Sequence, residues 1–380
     1  MVMSEKSDGG LRRRKTDPPP DPCRQFTPSL DATLEQVVAM GASDLHITSG
    51  IQPTVRVSGI LLPIPDTPVM TPEMTECFVT GTMTAEQLEE FEREGEIDFA
   101  FGRRGVGRYR VNAFRERGDV SAAMRRIPDR PIPLDTLGLP AIVSSFAQLS
   151  QGLVILTGPT GSGKSTTLAG LIDKINRERR VHIITIEDPI EYLHTHQMAI
   201  VQQRELGRDT NTFARALSSA LREDPDVILI GEMRDPQTMA AAVSAAETGH
   251  LVFTTLHTNS AAQSVDRIID MFAPHQQKQI RMQLAASLQA IVSQRLLPSI
   301  DGGLACVAEV LIATTAVRNL IRESKTHQLE SVMPSGVKEG MVIFDVQLAE
   351  LVRSQRISHE VAMTYCTDQQ TFDTRLRAYP

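Results

Sequence analysis

Gly158, Pro159, Thr160, Gly161, Ser162, Gly163, Lys164 and Ser165 form an unbroken GxxxxGK[ST] series. Residues of these types at this spacing bind phosphate. Gly161 and Gly163 allow backbone N–H groups to turn inward around phosphate oxygens. Lys164 sets a point charge against the β and γ phosphates, and the Ser165 hydroxyl can ligate magnesium. A helix that opens here adds the partial positive charge of its first turn. The phosphate-binding set runs from Gly158 to Thr166, and its cofactors are ATP and Mg2+.

Carboxylates recur downstream at the ends of apolar runs. Glu187-Asp188-Pro189-Ile190-Glu191 follows the strand-like Val181–Ile186. In a parallel α/β sheet such a strand end is where ligands gather, so these carboxylates are placed to meet magnesium or an attacking water. Asp226 to Glu232 is an apolar strand that ends in a carboxylate. A carboxylate there can order water for in-line attack on a γ-phosphate or hold magnesium. Thr248-Gly249-His250 and Thr255-Leu256-His257-Thr258 bracket a fourth apolar strand. Imidazoles beside a phosphate site can sense the γ-phosphate, and structural histidines fit the same spacing equally well.

The elements that must position these groups follow from the pattern of apolar runs. Leu153–Thr157, Val181–Ile186, Val227–Ile230 and Leu251–Leu256 alternate with helical stretches. That rhythm predicts an α/β domain with a mostly parallel sheet covered by helices. Ser165–Asn176 is the helix leaving the phosphate loop. Ile280–Leu296, with Leu284, Leu288, Ile291 and Val292, has helical spacing.

Residues 29–127 are expected to form a smaller α+β domain. It holds a helix through Leu34, Val37 and Val38, a strand at Thr54–Ser58, a helix at Glu86–Arg93, and two strands around Gly105-Val106-Gly107. Pro128, Pro131, Pro133 and Pro140 mark residues 128–140 as a linker. The ATPase domain spans 141–353, ahead of a tail at 354–380. The Pro-rich residues 1–28 are expected to be a disordered extension; their basic run, Arg12–Lys15, reads as solvated.

With 39 basic and 46 acidic residues the formal charge is −7, which disfavours a stable nucleic-acid partner. No apolar run approaches the length of a membrane span, and no secretory leader is recognised. The cytoplasm is therefore the expected compartment. The four cysteines form no CxxC pair, so neither a zinc nor a redox motif is signalled.

Together, Gly158–Ser165, Glu187–Glu191, Gly231-Glu232-Met233-Arg234-Asp235 and Thr248–His257 resemble the Walker A, Asp-box, Walker B and His-box motifs of secretion ATPases. Within that superfamily, Ser219–Asp235 and Ala245–Phe253 are similar to the type IV pilus retraction ATPases. Ala316-Val317-Arg318-Asn319-Leu320-Ile321-Arg322-Glu323 is similar to the AIRNLIRE motif of those motors, with Val317 in place of isoleucine.

The resemblance covers about Leu30 to Glu350. It implies a PAS-like N-terminal domain followed by a RecA-like ATPase domain with a helical C-terminal region. It also implies a homohexamer acting on an inner-membrane platform protein, at the inner face of the cytoplasmic membrane. Glu232 is then the catalytic carboxylate, and Glu191 helps place magnesium or water. His250 and His257 are nucleotide sensors. Arg110 and Arg115, with Arg108 and Arg125, are candidate arginine fingers. A type II secretion or pilus-assembly ATPase is the alternative, and a nucleic-acid translocase a more distant one.

Overall fold

The computed structural model describes residues 29–57, 59–103, 105–128 and 130–377, so the extension expected at 1–28 lies outside the described residues. The chain divides into two compact units, Met1–Pro128 and Asp129–Pro380. Among the described residues no helix is long and apolar enough to cross a membrane.

The first unit runs α1 (Leu30–Ala39), β1 (Asp44–Ile47), β2 (Thr54–Val57), β3 (Ile60–Pro63), α2 (Pro72–Thr80), α3 (Ala85–Glu94), β4 (Glu96–Arg103), β5 (Gly107–Glu116) and β6 (Asp119–Ile127). Its strands form one antiparallel sheet in the order β3-β2-β1-β6-β5-β4. Period-two burial makes the core: Ile97, Phe99 and Phe101 on β4, and Tyr109, Val111 and Ala113 on β5, face the helices. Leu30, Leu34 and Val37 of α1 and Phe91 of α3 meet them. Ser29 caps α1 and Thr84 with Gln87 forms a capping box on α3, so both helices start where their side chains satisfy the first N–H groups.

The second unit runs α4 (Ala141–Ser145), β7 (Gly152–Thr157), α5 (Lys164–Glu178), β8 (His182–Glu187), β9 (Ile200–Glu205), α6 (Phe213–Ala220), β10 (Val227–Ile230), α7 (Pro236–Glu247), β11 (Leu251–Thr255), α8 (Ala261–Asp270), α9 (Pro274–Ser287), β12 (Leu288–Pro298), β13 (Leu304–Ile312), α10 (Thr315–Arg322), α11 (Leu329–Val332), α12 (Phe344–Arg353), α13 (His359–Tyr365) and α14 (Gln369–Arg377). The seven-stranded sheet has the order β13-β12-β7-β11-β10-β8-β9. Every neighbouring pair is parallel except the β12–β13 hairpin.

Both faces are covered, which is why the strands read as unbroken apolar runs. Leu153 and Ile155 pack among α7, α8 and α9, while Val154 and Leu156 pack against Leu168, Leu171 and Ile175 of α5.

The helix expected over Ile280–Leu296 is corrected. Helix α9 stops at Ser287, and Leu288–Pro298 is strand β12 beside β7. A strand buried on both faces carries apolar residues at nearly every position, so the i, i+3, i+4 pattern is present there by chance. Between the prolines of 128–140, Leu134–Thr136 winds a 3-10 turn, and Leu134 is buried against Gly170 of α5.

Beyond Arg353 the chain folds back as α13 and α14. The buried carboxylate of Asp345 accepts from Thr367 N at 2.9 Å, Thr367 Oγ1 at 2.6 Å and Asp368 N at 3.1 Å. Phe372 of α14 is fully buried with Phe344 and Leu348.

Candidate active site

Strand β7 delivers the chain to Gly158, and α5 begins at Lys164. The loop between them turns on left-handed glycines: Gly161 has φ +79° and Gly163 has φ +86°. Gly158 has φ +142°, and a Cβ on it would lie 2.2 Å from the main-chain oxygen of Gln294. Lys164 is 8% exposed, and its ammonium donates to Gly158 O at 2.8 Å and Pro159 O at 3.0 Å. Burial pushes this ammonium below its ordinary range, against the pull of Glu191 and Glu232. No carboxylate among the described residues forms an ion pair with it. The buried Ser162 Oγ has no hydrogen-bond partner. A cationic loop of inward-turning glycines, with an unpaired buried hydroxyl and a lysine lacking a counter-ion, fits a polyphosphate.

The acidic groups stand on the same edge of the sheet. Glu187 ends β8 and Glu232 lies just past β10, its parallel neighbour. Gly231 lets the two ends approach: its N–H donates to Ile186 O at 2.8 Å, and a Cβ there would lie 3.3 Å from Glu187 Cα. Glu187 accepts from Thr185 Oγ1 at 2.6 Å and Gln203 Nε2 at 3.2 Å, yet burial raises its carboxyl above the ordinary range. Glu232 Oε1 forms an ion pair with Arg234 Nε at 2.7 Å, and its Oε2 lies 3.5 Å from His257 Nε2. Glu191 is exposed, and the next residue, Tyr192, places its hydroxyl 3.0 Å from Thr166 Oγ1. Lys164 and Ser165 at the head of α5, and Glu232 and His257 just past β10 and β11, therefore stand at the carboxyl edge of the parallel strands, where ligands bind such sheets; Glu191 follows the end of β8. Ser165, Glu191 and Glu232 offer oxygens of the kind magnesium prefers.

The structure does not bring His250 to this edge. His250 precedes β11, and the pairing of Leu251 with Gly152 and of Thr255 with Leu156 puts it at the amino end of the sheet. Roughly 15 Å of strand separates it from the loop, at about 3.3 Å per residue. Its Nδ1 is 3.0 Å from Ala245 O, at the end of α7. Two histidines that bracket a strand necessarily sit at opposite ends of it.

Nor do the arginines form one group. Arg110 and Arg125 face each other across β5 and β6, and Arg125 Nε donates to Asp44 Oδ1 at 2.9 Å. Arg108 is on the same side, two residues along. Arg115 is an odd number of residues from Arg110 and so lies on the other face of β5, its guanidinium 5.3 Å above the Phe91 ring.

The family model for type II/IV secretion system proteins matches residues 24–378. The chain belongs to that family. Within it, the chain is 45% identical over 322 residues to the type IV pilus retraction ATPase PilT of Pseudomonas aeruginosa, spanning 85% of this chain and 93% of the relative. It is 48% identical over 327 residues to a twitching motility protein of Neisseria gonorrhoeae, spanning 84% and 87%. Among solved structures it is similar to the pilus retraction motor PilT with bound ADP, at TM-score 0.84 and 47% identity, covering 90% of this chain and 98% of that one. Like PilT, this member of the secretion family is an ATPase.

Three contributors to the site escaped the sequence reading. Tyr192 and Arg234 lie inside or beside motifs, but nothing in their spacing assigned them a contact. Gln294 comes from β12, far along the chain: its Nε2 donates to Ser162 O at 2.8 Å and its Oε1 accepts from Thr167 Oγ1 at 2.9 Å.

Proposed function

We infer that this chain is a magnesium-dependent ATPase motor that retracts a type IV pilus as a homohexameric ring. The observation that carries the chemistry is the glycine-turned loop that buries Lys164 at the head of α5, on the sheet edge where Glu232 follows β10. The biological output rests on near-full-length similarity to PilT and on the Ala316–Glu323 segment. We read the first unit as PAS-like and the second as RecA-like.

Hydrolysis requires a water to attack the γ-phosphorus as the bond to the β–γ bridging oxygen breaks, giving ADP and inorganic phosphate. The loop amides of Gly161 and Gly163 and the Lys164 ammonium neutralise phosphate charge. Ser165 would hold magnesium, with Glu191 and Glu232 assisting directly or through water. The metal, when bound, screens the developing charge on the phosphate oxygens. Glu232 orients the water and takes its proton, and His257 lies against the same carboxylate, where it can register the change.

Arg110, with Arg108 and Arg125 on the same face of β5 and β6, is assigned the trans role toward a neighbouring subunit. An arginine in that role contributes roughly three orders of magnitude. Arg115 is assigned to packing on Phe91. In α10, Val317 and Ile321 are fully buried in the core, so coupling to an inner-membrane platform protein falls to the exposed Ala316 and Asn319. The ring would work in the cytoplasm at the inner face of the membrane, with no nucleic-acid partner.

The test is pilus retraction in cells whose own copy is replaced by Lys164→Ala or by Ala316→Gly. Both should abolish retraction, and only the first should abolish ATP turnover of the purified protein. Normal retraction with Lys164→Ala would remove the motor reading.

A further inference from the structure

Gln294 makes one hydrogen bond to the phosphate loop and one to α5, and it lies close against two of the loop glycines. Its amide nitrogen donates to Ser162 O and its amide oxygen accepts from Thr167 Oγ1 in the first turn of α5. Its main-chain oxygen would be 2.2 Å from a Cβ on Gly158, and its Nε2 would be 2.8 Å from a Cβ on Gly163. Gln294 is 3% exposed and Thr167 is fully buried, so water does not compete for these bonds. A side-chain amide donates at one end and accepts at the other, so it satisfies the Ser162 carbonyl and the Thr167 hydroxyl together.

The neighbours of Gln294 anchor β12 elsewhere. Ser293 Oγ donates to Asn259 O at 2.8 Å, two residues past His257. The Arg295 guanidinium lies 5.4 Å over the Phe344 ring of α12. The clamp on the loop is therefore mounted on a strand fixed on both sides.

We propose that Gln294 is a positioning residue that holds the phosphate loop in its phosphate-receiving conformation before nucleotide arrives. Binding then does not bear the entropy of ordering the loop. This rests on the reading of the loop as the nucleotide site. Gln294→Met keeps the volume and removes both hydrogen bonds. Gln294→Glu keeps the acceptor for Thr167 but sets a carboxylate against Ser162 O. Thr167→Val removes one bond from the other side.

The test is hydrogen exchange of the nucleotide-free, full-length protein, with ADP titration of the same samples. Gln294→Met should speed exchange at amides 158–167 while leaving β10 and the first unit at wild-type rates. It should weaken ADP on the order of thirtyfold, the loss of two hydrogen bonds of ordinary strength. The KM for ATP should rise by more than kcat falls. Gln294→Glu should be at least as weak. Thr167→Val should be milder, and the double variant no worse than Gln294→Met alone.

Wild-type exchange in the loop of Gln294→Met, or an unchanged ADP affinity, overturns the proposal. So does exchange that rises throughout the second unit, because it marks a general core role. If the wild type itself fails to bind ADP, the nucleotide reading is what fails, and the exchange data still judge the clamp.

Discussion

Arg234 Nε lies 2.7 Å from Glu232 Oε1, an ion pair at the carboxylate proposed to activate water. The second oxygen of Glu232 faces His257 Nε2 at 3.5 Å. The carboxylate is the sheltered partner in both contacts: Glu232 is 16% exposed, against 77% for Arg234 and 53% for His257. A mostly buried carboxylate thus stands between two groups that are largely exposed to solvent.

Arg234→Ala separates orientation from stability. The arginine end of the pair is solvent-exposed, so the pair contributes less than about 1 kcal/mol and the urea midpoint should barely move. Loss of orientation should lower kcat on the order of tenfold. Unchanged kcat would show that the pair plays no part in turnover.

The glycines of the phosphate loop should differ in cost. Gly158→Ala drives a methyl into Gln294 O and should lose nucleotide binding together with about 1–3 kcal/mol of stability. At Gly161 nothing lies within 4 Å of an added Cβ, so Gly161→Ala meets only the left-handed backbone penalty, roughly 1–2 kcal/mol. Urea unfolding and ADP titration of both variants check the order; equal losses would contradict it.

His194 should make stability pH-dependent. Burial lowers its pKa from 6.5 to about 4, so the folded state keeps the ring neutral while the unfolded chain takes up a proton first. Its contribution is complete above about pH 6.5 and is lost as pH falls toward 4, by at most about 3 kcal/mol. His194→Phe should therefore lose less stability than wild type between about pH 7 and pH 5. Parallel unfolding curves for the two proteins across that window would refute the assignment.

The two arginines of β5 should part company. Arg110→Ala should cut turnover by roughly three orders of magnitude with little change in stability. Arg115→Ala should cost the first unit about 0.5–1 kcal/mol of cation–π contact and leave turnover much less affected. Steady-state kinetics and thermal unfolding read both; the reverse ranking would reassign the trans role.

Local chemistry was legible in the sequence and remote chemistry was not. Gly158–Ser165 announces itself because its residues act as one short loop, and Glu232 because it ends a buried strand. Gln294 has no such signature: an amide in an apolar strand acquires its role only when β12 pairs with β7. The strand β12 was itself hidden, because burial on both faces erases the two-residue period that separates strand from helix. The split of Arg110 from Arg115 was present in the spacing, since five residues along a strand reverse the face. So was the displacement of His250, which the bracketing of β11 already required.

Steady-state ATP turnover of the purified protein with and without magnesium, for wild type, Lys164→Ala and Glu232→Gln, decides whether Glu232 activates the attacking water at a magnesium-dependent site. Wild type should turn over only with magnesium. Lys164→Ala should lose nucleotide affinity. Glu232→Gln should bind ATP normally and lose kcat by roughly 10²–10⁴-fold, the usual contribution of a general base. Wild-type turnover by Glu232→Gln would rule Glu232 out and move the water-activating role to Glu187 or Glu191.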